Sequence, residues 1–111
     1  MSDLRSEINR LHAEICSGLA DPTRILILYT LNQGSRNVSE LAEELEIPQP
    51  TVSRHLKVLR ERRMVQARRV GQAVYYSLRD QRVIQALDLL RAVLASNLQG
   101  QSILAEQVQS D

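Results

Sequence analysis

The chain is 111 residues long, 43% hydrophobic and nearly balanced in charge, with a formal net charge of +1. That length suits one small domain, and no apolar run approaches the ~18–20 residues of a membrane span. A lone cysteine, Cys16, excludes an internal disulfide framework and fits a reducing cytosol. Met1–Arg10 is polar and mixed in charge, unlike a signal peptide. The aromatic residues are Tyr29, Tyr75 and Tyr76, so Leu, Ile and Val must build the core. A domain this small gains stability by pairing with a copy of itself.

Leu4, Ile8, Leu11, Ile15 and Leu19 recur at helical spacing and predict a first helix over residues 4–19. Asp21-Pro22 reads as an N-cap followed by proline at the first helical position. The second helix, 22–32, is expected to bury Ile25, Leu26, Leu28 and Leu31, with Asn32-Gln33-Gly34 as its stop. Val38 suggests a very short strand, and Ser39 a cap for a third helix over 40–46. There Glu40 lies near the positive end, and Leu41, Ala42 and Leu45 face inward. Ile47–Pro50 is a turn, because Pro48 cannot lie inside a helix. A fourth helix follows over 50–62.

The period then changes. Val65, Ala67 and Arg69 alternate with Gln66, Arg68 and Val70; after Gly71-Gln72, Val74, Tyr76 and Leu78 alternate with Tyr75 and Ser77. Two alternating runs around a glycine predict a β-hairpin. A last helix starts near Asp80, with Val83, Leu87, Leu90 and Leu94 in one stripe. Residues 1–98 make the expected domain, and 99–111 a Gln- and Ser-rich tail. Ile103, Leu104 and Val108 offer the tail a helical continuation, and Gly100 opposes it.

Residues 49–72 hold seven Lys or Arg against Glu61 alone, a local balance of +6; the remaining seven basic and twelve acidic residues sum to −5. A basic stripe on a mildly acidic body is the electrostatic footprint of a DNA binder. At 100° per residue Val52, Leu56 and Leu59 fall within about 60° of one another, and Arg54 and Lys57 point away. An amphipathic helix with a basic outer face fits the DNA major groove. The helix order with the hairpin is therefore mainly α with a β-hairpin wing, a winged helix-turn-helix. The second helix of the motif reads the groove and the wing lies alongside. The terminal helices carry apolar stripes broader than one small core requires, which points to a homodimer formed through them.

Several motifs resemble the ArsR/SmtB family of bacterial repressors. They are Leu19-Ala20-Asp21-Pro22-Thr23-Arg24, Val38-Ser39-Glu40-Leu41-Ala42, Gln49-Pro50-Thr51-Val52-Ser53-Arg54-His55-Leu56 and Gly71-Gln72-Ala73-Val74-Tyr75-Tyr76. The resemblance covers residues 8–97. It implies a homodimer built from the first and last helices, binding an inverted-repeat double-stranded DNA operator in the cytoplasm, at the nucleoid, and blocking transcription until a signal releases it. The family also carries two kinds of metal site. Where the family carries thiolates near the third helix, this chain has Asn37, Ser39 and Ala42, which soft metals do not favour. Where the family pairs Asp, His, His and Glu on the last helix, it has Asp80, Arg82, Val93 and Ser96, which do not make a zinc site. No metal and no cofactor is expected.

His12 and Cys16 lie four residues apart and share a helix face. Three readings stay open. They are two ligands of a metal site finished by carboxylates such as Glu7 or Asp88. Alternatively Cys16 is a redox, persulfide or electrophile sensor whose thiolate a protonated His12 favours. Or Cys16 is a small residue buried in a helix interface.

Among the DNA contacts, Arg54 is the expected base reader, because arginine grips guanine with two hydrogen bonds. Gln49, Thr51 and Ser53 meet bases or phosphates at the helix start. His55, Lys57 and Arg60 contact phosphates, and Arg68, Arg69 and Gln72 act from the wing. Arg62 and Arg63 are either further contacts or plain surface charge. Pro48 stands where the family often has a polar cap, so the cap comes from elsewhere, with Gln49 a candidate. No phosphate loop, zinc spacing or nucleophile–base–acid set points to an enzyme. A protein-interaction module is the rival, since fold does not fix function.

Overall fold

The computed structural model describes residues 2–110, and side chains over 3–100. Two compact units are present, Met1–Gln81 and Arg82–Asp111.

In the first unit α1, Ser2–Leu11, runs into a π-helical turn, His12–Cys16, and then a short α2, Ser17–Leu19. The expected single helix therefore carries one wider turn, in which the Ser17 amide donates to the His12 carbonyl. Leu4, Ile8 and Leu11 are 45–63% exposed, while Ile15 and Leu19 are half-buried.

Helix α3, Pro22–Asn32, starts as expected. Asp21 accepts the Thr23 and Arg24 amides at 2.8 and 3.2 Å, with Pro22 in the first turn. Its buried residues are Ile27, Leu28 and Leu31. Leu26, expected inside, is 51% exposed, and Ile25 is half-buried. In a run of consecutive apolar residues, periodicity does not say which side is covered; packing chose Ile27.

Helix α4, Val38–Leu45, begins one cap earlier than expected. Asn37, not Ser39, is the N-cap, and it forms a capping box with Glu40: the Glu40 amide donates to Asn37 Oδ1 at 2.8 Å and the Asn37 amide to Glu40 Oε1 at 3.0 Å. The strand-like residue is Arg36 rather than Val38, because Arg36 exchanges two backbone hydrogen bonds with Tyr76. Leu41 is buried. Glu46 closes the helix in the left-handed region (φ 55°).

Helix α5, Gln49–Glu61, has no side-chain cap; instead the Pro48 carbonyl accepts the Thr51 and Val52 amides at 3.0 and 3.1 Å. Val52, Leu56 and Leu59 are buried, with Met64 just beyond. Helices α3, α4 and α5 contact one another, so these residues join Ile27, Leu28, Leu31 and Leu41 in one core. Strands β1, Val65–Val70, and β2, Ala73–Leu78, pair antiparallel from Val65↔Leu78 to Val70↔Ala73. Gly71 (φ 64°) takes the first of the two turn positions, which a type II′ turn reserves for glycine.

The second unit is α6, Arg82–Ser110. Ile84 and Leu87 are buried, whereas Leu89, Leu90, Val93, Leu94 and Leu98 are exposed. The helix passes Gly100 without a break, one of the courses the sequence left open for residues 99–111. The side chains of Ile103, Leu104 and Val108 lie outside those described.

One polar cluster holds α5 against the α2–α3 corner. Asp21 Oδ1 lies 4.0 Å from His55 Nε2, and Arg24 Nη1 lies 3.3 Å from His55 Nδ1. Burial pushes the Asp21 carboxyl up, but the Arg24 and Thr23 amides and the charges of His55 and Arg24 together hold it below the ordinary carboxylate range. A carboxyl lowered by folding stabilises above its unfolded range, and that stability is lost as pH falls through the lowered value. Asp21→Asn keeps the cap but removes the titrating charge. Its unfolding midpoint should fall less steeply on acidification than that of the wild type, in parallel thermal melts from neutral pH down through the carboxylate range. Asp21→Ala, which also loses the cap, should cost about 1 kcal/mol at neutral pH.

Candidate nucleic-acid interface

Burial of Val52, Leu56 and Leu59 leaves the opposite side of α5 facing water. Gln49, Ser53, Arg54, Lys57 and Arg60 are exposed there, and Thr51 is half-buried. Gln49 also donates from Nε2 to Ser39 Oγ at 3.2 Å, which joins the starts of α4 and α5.

His55 sits apart from this exposed set. The sequence places it among the phosphate contacts, but its side chain is only 12% exposed and turns toward Asp21 and Arg24. At 100° per residue it stands only about 40° from Leu59, on the edge of the buried stripe. Arg62 also turns inward, donating to the Ala13 carbonyl and the Ser17 hydroxyl. Arg63 is exposed, with left-handed backbone (φ 57°).

On the hairpin, cross-strand partners share a face. Val65, Ala67, Arg69, Val74, Tyr76 and Leu78 lie on one side, with Val65 buried. Gln66, Arg68, Val70, Ala73, Tyr75 and Ser77 lie on the other. Arg68 and Arg69 are both exposed, yet they serve opposite faces. Gln72 is exposed at the tip. The outer face holds a shallow depression of about 470 Å³ lined by Ser35, Arg68, Val70, Tyr75 and Ser77. Tyr75 and Ser77, not among the expected DNA contacts, share this face with Arg68, and their alternation along β2 puts them in phase with it.

His12 and Cys16 are both exposed at the two ends of the π turn, and Cys16 is a free thiol. Asn37, at one of the family's thiolate positions, is engaged in the capping box. Among the described residues no group of three or more His, Cys, Asp or Glu is arranged to hold a metal ion, and no helix is long and apolar enough to cross a membrane.

Residues 21–67, from the α3 cap through α4 and α5 into β1, match the model of the arsR family of bacterial regulatory proteins. An uncharacterised HTH-type transcriptional regulator of Methanocaldococcus jannaschii is 40% identical over 79 residues, covering 70% of this chain and 89% of that protein. A transcriptional repressor SmtB homolog of Synechocystis is 42% identical over 72 residues, covering 65% of this chain but only 54% of that protein. The solution structure of a homodimeric winged helix-turn-helix DNA-binding domain from Mycobacterium bovis superposes with a TM-score of 0.75 at 30% identity, covering 88% of this chain and 91% of that one. The matched stretch contains the capped helices and the basic outer face just described, and the chain belongs to the arsR family of bacterial regulatory proteins, the winged helix-turn-helix regulators of transcription.

Proposed function

We propose that this regulator is a repressor that binds an inverted-repeat operator as a homodimer in the cytoplasm, with α5 in the major groove and the hairpin against the flanking backbone. The observation that carries this reading is the division of α5. Its apolar side is buried, and Gln49, Ser53, Arg54, Lys57 and Arg60 all face outward. Arg54, on the middle of that face, reads a guanine. Gln49, Thr51 and Ser53 act at the helix start, Lys57 and Arg60 hold phosphates, and Arg68, Arg69 and Gln72 engage from the wing. His55 is left out of this set because its ring is committed to Asp21 and Arg24.

The homodimer is supported by the exposed apolar residues of each terminal helix: Leu4, Ile8 and Leu11 on α1, and Leu89, Leu90, Val93, Leu94 and Leu98 on α6. Side chains of this size stabilise by about 1.5–3 kcal/mol each when fully buried, more than a small domain readily forgoes. The related M. bovis domain is homodimeric. Two-fold pairing would set two reading helices about 34–36 Å apart, one turn of DNA.

A second reading concerns the signal. Cys16 is an exposed thiol with His12 at the other end of the same π turn, an arrangement open to oxidants, persulfides or electrophiles. In this reading its modification releases the operator.

Four outcomes are expected. Arg54→Ala should cost about 1–3 kcal/mol of operator binding and relax specificity at one position. Lys57→Ala and Arg68→Ala should weaken all sequences alike, each lowering the slope of log affinity against log salt by about one. Anisotropy titrations over several salt concentrations separate the two classes, and a wild-type protein that prefers no duplex at low salt would exclude operator recognition. Ile8→Glu should shift the sedimentation equilibrium from dimer toward monomer and weaken operator binding with it. Cys16→Ser should keep operator affinity and lose release by persulfide or peroxide; a mutant that still responds assigns the sensing elsewhere.

A further inference from the structure

The reading helix is fastened to the N-terminal helix by two guanidinium groups. Arg24, in the first turn of α3, donates from Nε to the Gly18 carbonyl at 2.8 Å and from Nη2 to the Ser17 carbonyl at 3.2 Å, while its Nη1 meets His55 in the middle of α5. Arg62 closes the C-terminal end of α5, with its own amide donating to the Val58 and Arg60 carbonyls. Its side chain reaches the Ala13 carbonyl and the Ser17 hydroxyl. Both arginines therefore grip the segment that contains or directly follows the π turn. Between them the backbone comes close: a Cβ on Gly18 would stand 2.8 Å from Met64 Sδ and 3.6 Å from Arg62 Cγ. Hydrogen bonds from a charged donor are roughly twice as strong as neutral ones, and a guanidinium presents them in a rigid planar fork.

We propose that Arg62 is a positioning residue for operator recognition. It anchors the C-terminal end of α5 to the Ala13–Ser17 turn and so sets the angle between the reading helix and the first helix. This rests on the homodimeric operator reading above, in which the exposed apolar side of α1 lies at the dimer contact. The angle then governs the separation of the two reading helices, which must match one turn of DNA. Arg62 contributes to affinity for a full operator without touching a phosphate. That separates it from Lys57 and Arg60, whose side chains face outward.

The test uses the inverted-repeat duplex that the wild-type protein selects from random DNA, together with the same duplex lengthened or shortened by one base pair between half-sites. Arg62→Met should bind the selected duplex roughly tenfold more weakly, with an unchanged salt slope and a smaller preference for the native spacing. Arg62→Lys should restore most of both. A salt slope reduced by about one would make Arg62 a phosphate contact and overturn the proposal, as would unaltered affinity and spacing preference. If Arg62→Met does not fold, Ser17→Ala removes one acceptor and keeps the charge. It should lower the spacing preference in the same direction, and an unaltered preference overturns the proposal. A wild-type protein that selects no duplex removes the operator reading and this proposal with it, whereas a wild type that selects one and is matched by Arg62→Met removes this proposal alone.

Discussion

Burial of one side of α5 governs everything else in the first unit. Val52, Leu56 and Leu59 are buried with Ile27, Leu28, Leu31 and Leu41 where α3, α4 and α5 meet. At about 1.5–3 kcal/mol per buried aliphatic side chain, this contact outweighs any single polar interaction on the surface. It fixes the rotation of α5 about its own axis. Once that rotation is fixed, Arg54 and Lys57 face outward by geometry alone, and His55, next to the stripe, is drawn in. The basic surface exists because the apolar surface is covered.

Rotation about the axis is one constraint on the helix, and polar groups bond at its two ends and its middle as well. At the start, the Pro48 carbonyl takes two amides and Gln49 reaches Ser39. In the middle, His55 meets Asp21 and Arg24. At the end, Arg62 reaches back to the π turn. The wing is tied in separately by the Arg36–Tyr76 bridge. Reading helix and wing thus hang from one core by distinct polar joints, and the residues of those joints resemble surface charge when read in sequence alone.

Elements were legible where two signals agreed. Asp21-Pro22 combined a capping acceptor with a proline that needs no amide partner, and α3 starts there. The change from a helical to a two-residue period at Val65, together with Gly71, located the hairpin and its turn. Where only one signal was available, the reading slipped. Ser39 is a good capping residue, but Asn37 is followed three residues later by Glu40, and the reciprocal box prevailed. Leu26 is as apolar as Ile27, and only the packing of the elements around α3 decided which was covered. The π turn, His12–Cys16, carries no composition cue; Arg62 reaches its Ala13 carbonyl from a position 49 residues away.

By itself the sequence determined the order of elements, the family, the outward basic face of α5 and the place of the wing, because periodicity, capping chemistry and local charge are properties of neighbouring residues. Tertiary structure alone decided that His55 and Arg62 turn inward. It also decided that Cys16 is exposed at the end of a widened turn. The two inward turns depend on groups far apart in the chain: Asp21 and Arg24 for His55, and Ala13 and Ser17 for Arg62. A long, flexible charged side chain goes to whichever carbonyl or solvent it can reach, and only the packed fold brings those partners within reach.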